Sequence, residues 1–393
     1  MYHNLQNESD TVNVILRVRS KQSCFLALRW RLVFFSAVAS VITGFQQKPE
    51  ALTFYNRGKA YYQKGDYENA IADFNLAIKI KPDYASAYFN RGNAYCDQGD
   101  YARAIADYSQ AIKLNPDDIT AYNNRGNAYL LNNDLARAIA DFDQAILRRP
   151  NLAEAYCNRG IAHTQRGDYD HAIIDFDQAV RLDPQEADTY YKRGKAYYYK
   201  GDLERAIVDY NRAIKLNPNL AEAYSSRGLA YLRNNVFSLA IADFTNAVKL
   251  KPDLAEAYAN RGNAYAHKDR NDRAIADYDR AIQLKRERII TAKNRGGDFD
   301  PTFKLKPEDA ELYYNRGRAY HALGKFDRAI ADYTQAINIK ANQVSAYYIR
   351  GTAYRDKGDR AKAIFDFMKV RELTNDPMMR KKTRDHLQDL GVN

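Results

Sequence analysis

Apolar and polar positions along this chain repeat in step. From Ala51 onward the apolar residues fall three or four apart in trios separated by a polar turn, and the arrangement returns every 34 residues. In residues 153–186 (AEAYCNRGIAHTQRGDYDHAIIDFDQAVRLDPQE), with Gly160 as the eighth position, positions 4, 8 and 11 form one trio and positions 20, 24 and 27 the other. Such spacing places each trio on one face of an α-helix. Gly167 and Asp168 mark a turn between the trios, and Pro184 cannot continue a helix, so each unit is predicted to be two helices.

The register holds over nine copies. An Arg-Gly pair recurs at Gly58, Gly92, Gly126, Gly160, Gly194, Gly228 and Gly262, then, 55 residues on, at Gly317 and finally at Gly351. Position 4 is aromatic throughout, position 11 is tyrosine except at His163, position 20 is alanine, and position 24 is Phe or Tyr. Of the 32 tyrosines, positions 4 and 11 supply eight each, so packing accounts for half without any base-stacking role. A two-helix hairpin cannot bury both its faces alone, and the units must stack.

This spacing resembles the tetratricopeptide repeat family, whose pattern is a Trp, then Leu-Gly, Tyr, Ala, Phe and Pro. The resemblance runs from Ala51 to Pro377 and departs in two places: Tyr stands for Trp at position 4, and Arg for Leu at position 7. It implies an all-α solenoid, a right-handed superhelix of nine helix-turn-helix units with a C-terminal capping helix. All nine copies also carry Asp at position 23, so Arg57 with Asp73, Arg91 with Asp107, Arg125 with Asp141 and Arg159 with Asp175 begin a series. With the turn near position 16, the two residues stand roughly 3 Å apart along antiparallel helices. They are expected to form a repeated structural ion pair.

Five segments follow. Residues 1–50 lie outside the repeat, residues 51–285 hold seven units, 286–306 are an insertion, 307–376 hold two more units, and 377–393 form the expected cap. In the first segment Arg17, Arg19, Lys21, Arg29 and Arg31 precede an apolar run, LVFFSAVASVITGF. Residues 24–45 read as an export signal or membrane anchor, as an interfacial helix, or as a helix packed on the first unit. The first reading places the protein at or across a membrane, the last in the cytoplasm. Within the insertion, Arg286 to Arg295 contains no helix breaker and is able to lengthen the preceding helix, while GGDFDP reads as a loop.

The formal net charge of +11 invites a nucleic-acid reading, but its distribution opposes it. Residues 1–50 and 286–306 each carry six Lys/Arg against three Asp/Glu, which accounts for six of the eleven charges. No catalytic constellation, metal spacing or cofactor motif is present: the six histidines form no HExxH, and Cys24, Cys96 and Cys157 show no pairing. The chain reads as non-enzymatic, with no cofactor, and as a scaffold for a protein or peptide partner. A nucleic-acid-binding solenoid is the alternative.

In the resembling family, positions 2, 5, 6, 9, 12 and 13 of the first helix line an inner face that binds extended peptides. Here position 6 is Asn56, Asn90, Asn124, Asn158, Lys192, Ser226, Asn260, Asn315 and Ile349, with Asn93, Asn127 and Asn263 at position 9. Asparagine is a weak helix former, so its recurrence mid-helix implies a use. A column of amides offers donors and acceptors to a peptide backbone without reading its sequence. At about 1 kcal/mol each, six amides approach the roughly 8 kcal/mol of micromolar binding. The lining positions hold six basic residues (Lys59, Lys192, Lys195, Arg233, Arg318, Arg355) and seven acidic ones, a balance that favours neither phosphate tracking nor the carboxylate clamp by which family members hold chaperone tails.

Overall fold

A computed structural model describes residues 50–294 and 305–392. The basic and apolar segment at 24–45 lies outside them, and no helix among the described residues is long and apolar enough to cross a membrane. The chain divides into two compact units, Met1–Arg166 and Gly167–Asn393.

Unit 1 runs through α1 (50–63), α2 (Tyr67–Ile80), α3 (Ala85–Asp97), α4 (Tyr101–Leu114), α5 (Ile119–Leu131), α6 (Leu135–Arg148) and α7 (Ala153–Gln165). Unit 2 opens on α8 (Tyr169–Leu182), followed by α9 (Ala187–Lys200), α10 (Leu203–Leu216), α11 (Ala221–Arg233), α12 (Phe237–Leu250), α13 (Ala255–Ala266) and α14 (Asn271–Asn294). It continues through α15 (Ala310–Ala322), α16 (Phe326–Ile339), α17 (Val344–Lys357), α18 (Arg360–Leu373) and α19 (Pro377–Asp389). The described residues contain no strand. The all-α helix-turn-helix architecture read from the 34-residue pattern is the architecture observed.

Turn chemistry explains the regularity. Position 15 adopts a left-handed backbone in every copy, at glycine in Gly65, Gly99, Gly167, Gly201, Gly324 and Gly358, and otherwise at Asn133, Asn235 and Asp269. Asn and Asp are the side chains that tolerate this region best. The next residue is usually an aspartate that caps the second helix, as Asp100 does by accepting from the Arg103 backbone N–H at 3.0 Å.

Between the paired helices a glycine meets a ring. A methyl group on Gly126 would lie 2.6 Å from Phe142 Cε1, and the same clash recurs from Gly58 against Phe74 to Gly351 against Phe367. Buried alanines at positions 20 and 27, such as Ala138 and Ala145, let the backbones approach around that ring. Within each unit the first helices of successive pairs touch, as α3 does α5 and α13 does α15, whereas second helices do not come as close. The first helices therefore line the inner side of each stack.

The last helix corrects one detail. A cap helix with Met378, Leu387 and Leu390 as its apolar residues is expected to turn all three to the last unit, but Met378 is exposed while Leu387 and Thr383 are buried. Nine residues at 100° each set Met378 opposite Leu387, so one helix cannot bury both. His386 completes the contact: it stacks on Phe367 at 5.0 Å, its Nε2 meets the Tyr348 hydroxyl at 3.0 Å, and its Nδ1 meets Arg355 Nη1 at 2.8 Å. A guanidinium only donates, so Nδ1 must accept and the ring is neutral.

Two experiments probe this packing. Gly126→Ala should lower stability by about 1–3 kcal/mol in urea unfolding, through the strain of overpacking against Phe142; an unchanged midpoint would show that the ring has room. Burial, then Arg355, hold His386 below its ordinary value of 6.5, against the opposing pull of Asp389, Asp385 and Asp356. The neutral form is the one that docks, so cap stability is present above pH 6.5 and is lost as pH falls through the lowered value. Hydrogen-exchange protection of Pro377–Asp389, corrected for intrinsic rate, should drop between about pH 7 and 5 in the wild type but not in His386→Gln. Equal pH dependence in both would remove His386 from the account.

Candidate functional site

The side chains at position 7 organise the face. Nε and Nη2 of Arg125 donate to both carboxylate oxygens of Asp141 at 2.7 Å. The same fork joins Arg57 to Asp73, Arg91 to Asp107, Arg193 to Asp209, Arg227 to Asp243, Arg261 to Asp277, Arg316 to Asp332 and Arg350 to Asp366. Arg159 pairs with Asp143 in unit 1, and Asp175 is buried in unit 2.

Sequence reasoning missed the third nitrogen. Nη1 of Arg125 reaches back to Ser109 Oγ at 3.0 Å, and Nη1 of Arg193, Arg227, Arg261 and Arg350 likewise reach Asp177, Asn211, Thr245 and Thr334. Each of these acceptors is position 25 of the preceding repeat. The signal was legible: position 25 is Asn, Ser, Asp or Thr in eight copies and Met368 only in the ninth, after which the Arg-Gly pair does not recur. The position-4 ring lies over the same guanidinium in each repeat, and in four repeats the position-11 tyrosine does too, as Tyr122 and Tyr129 flank Arg125 at 5.7 and 6.0 Å.

Burial pushes the carboxyls of Asp209, Asp332 and Asp366 above their usual range, with the bonded arginines pulling the other way. Desolvation thus offsets the attraction, and the pair specifies geometry more than it adds stability. Arg125→Leu should cost about 3–5 kcal/mol in urea unfolding, because Asp141 stays buried without its cation, and adding Asp141→Leu should recover much of the loss. A single variant as stable as the wild type would refute the clamp.

The amide column is not idle. Asn93 Oδ1 accepts from the Tyr108 hydroxyl at 2.8 Å and from Asn124 Nδ2 of the next repeat at 3.0 Å. Asn263 Oδ1 does the same with Tyr278 and Asn315, at 2.8 and 3.2 Å. Asn90 donates to the Tyr55 hydroxyl and to the Ser86 carbonyl, and Asn158 donates to Asn123. Lys192 pairs with Asp188, Asn56 is exposed, and Asn127 is half-buried. Asn93 and Asn263 at position 9 thus spend their carbonyls internally and keep two N–H groups each, while Asn124 and Asn315 at position 6 of the following repeats keep their carbonyls. A peptide backbone presents the complementary alternation.

In unit 2 this network opens into a pocket of about 820 Å³ lined by Asn260, Asn263, Asn315, Ala259, Leu312 and Ile289, with Glu256, Lys285, Arg288, Lys306 and Glu311 around it. Arg288 and Ile289 come from the insertion, which prolongs α14 to Asn294 and so supplies a wall. Lys285 bonds Glu256 at 2.7 Å; burial opposes both charges, yet the bond holds Glu256 below and Lys285 above their ordinary values. Among the described residues no group of three or more His, Cys, Asp and Glu could hold a metal ion.

Helix pairs in 34-residue register are what family comparison recognises. A family model described as TPR repeat matches residues 58–95, 92–133, 162–201, 194–235 and 317–358, and models described as tetratricopeptide repeat match 119–152, 255–287 and 344–377. These matches span more than half of the sequence, and the chain belongs to the tetratricopeptide repeat family. Among solved structures, a tetratricopeptide repeat protein from Parabacteroides merdae aligns with 60% of this chain and 93% of its own, at TM-score 0.51 and 20% identity. The APC/C hetero-tetramer Cut9-Hcn1 aligns over 86% of this chain and 76% of its own, at TM-score 0.51 and 15% identity. Both are likenesses of fold. No curated protein matches the chain.

Proposed function

We propose that this protein is a non-enzymatic scaffold that holds an extended peptide, or an extended segment of a partner protein, against the inner side of its first helices. The observation that carries the reading is the pocket between α13 and α15, where Asn263 offers N–H donors and Asn315 a carbonyl acceptor beside the apolar Leu312 and Ile289. Internal bonds hold those amides in place before a ligand arrives, which lowers the ordering cost of binding. Opposite charges alternate around the rim, so recognition rests on backbone hydrogen bonds and apolar contacts rather than on a net field.

The test compares partner capture by the wild type and by a variant carrying Asn260→Ala, Asn263→Ala and Asn315→Ala. Each lost internal hydrogen bond should cost about 1 kcal/mol, so the variant remains folded by circular dichroism. Affinity for the captured partner should fall at least roughly tenfold. Unchanged affinity would overturn the groove, and capture of RNA or DNA that collapses with added salt would replace it with the nucleic-acid reading.

A further inference from the structure

Four second helices carry tyrosine rather than phenylalanine at position 24: Tyr108, Tyr210, Tyr278 and Tyr333. All four are fully buried, so each hydroxyl needs a partner. Tyr108 donates to Asn93 and Tyr278 to Asn263, and Tyr210 shares a hydrogen bond with Ser226. The Tyr333 hydroxyl has none among the described residues. In its repeat position 9 is Arg318 instead of asparagine, and position 6 of the next repeat is Ile349.

The residues that break the amide network line a pocket of about 390 Å³ with His321, Ala322 and Tyr333. Of the six inner-face cations, five are engaged: Lys59 lies over Tyr55, Lys195 over Tyr191 and Arg233 over Tyr198, while Lys192 pairs with Asp188 and Arg355 with Asp356. Arg318 makes no ion pair, hydrogen bond or ring contact among the described residues. The nearby acid is already committed, since Asp356 also meets His321 Nε2 at 2.9 Å.

We propose that this pocket receives an aspartate or glutamate side chain of the bound segment, its carboxylate bonded by the Arg318 guanidinium and by the Tyr333 hydroxyl, with Ile349 and Ala322 against its stem. The site rests on the peptide-groove reading and adds a side-chain preference to backbone recognition. One uncommitted cation suits a monoanion; a phosphate of nearly two charges would find no second one. Burial, foremost, holds the Tyr333 hydroxyl far above its ordinary range, so it is a donor and not a base.

The experiment titrates the full chain with two blocked nonapeptides of alanine and serine that differ in a central Glu or Gln, and with inorganic phosphate. The wild type should bind the Glu peptide about tenfold more tightly than the Gln peptide, the discrimination expected of a charge-assisted hydrogen bond. Arg318→Gln should abolish the preference, and Tyr333→Phe should reduce it several-fold. Tyr333→Phe will fold, because five other repeats carry Phe at this position, and its midpoint should match or exceed the wild type's. Equal binding of the two peptides, a preference that survives Arg318→Gln, or displacement of the Glu peptide by phosphate would each overturn the site. Equal binding that Asn260→Ala, Asn263→Ala and Asn315→Ala together abolish would leave the groove standing, whereas no binding of either peptide at millimolar concentration would overturn both readings.

Discussion

One guanidinium per repeat, in most repeats forked onto an aspartate, tied back to the preceding repeat and covered by at least one ring, is the constraint from which the rest follows. A buried aspartate left without its cation is strongly destabilising, so each half-buried arginine must keep its fork. Satisfying it demands Asp at position 23 of the same repeat, a small polar residue at position 25 of the one before, and aromatic faces three residues before and four after. Those demands explain residues that look unrelated along the chain.

Strength comes from elsewhere. Burial pushes the Asp209, Asp332 and Asp366 carboxylates toward protonation against the pull of their arginines, so desolvation offsets much of what those pairs return. Burial of the position-24 ring against a bare glycine backbone, with alanines on either side, supplies the favourable term and fixes how closely two helices approach. The arginine then sets the register between neighbouring pairs, joining one repeat to the next through Ser109, Asn211 or Thr245.

The inner side inherits a second set of bonds. Asparagines on the inner side bridge successive first helices, and a tyrosine hydroxyl from the second helix locks them. These bonds fix the orientation of the amides. Departures from this pattern mark chemistry. The insertion lengthens α14 and walls a pocket beside Asn263, and the Arg318–Ile349 exchange leaves a hydroxyl and a cation without partners at one place.

The sequence by itself determined the helix pairs, their turns and the matched Arg and Asp, because these are set by short-range periodicity, by the left-handed position 15 and by a 16-residue spacing that two antiparallel helices make local. The exposed, polar side of the first helices was equally legible from the recurrent asparagines. Only the tertiary structure decided which amide atoms remain for a ligand, that Arg reaches backward as well as forward, that Met378 faces solvent while His386 docks the cap, and that Tyr333 lacks a partner. Each of these depends on how one helix is rotated against its neighbour, and a rotation is settled by the summed packing of side chains distant in sequence rather than by the period of either helix alone.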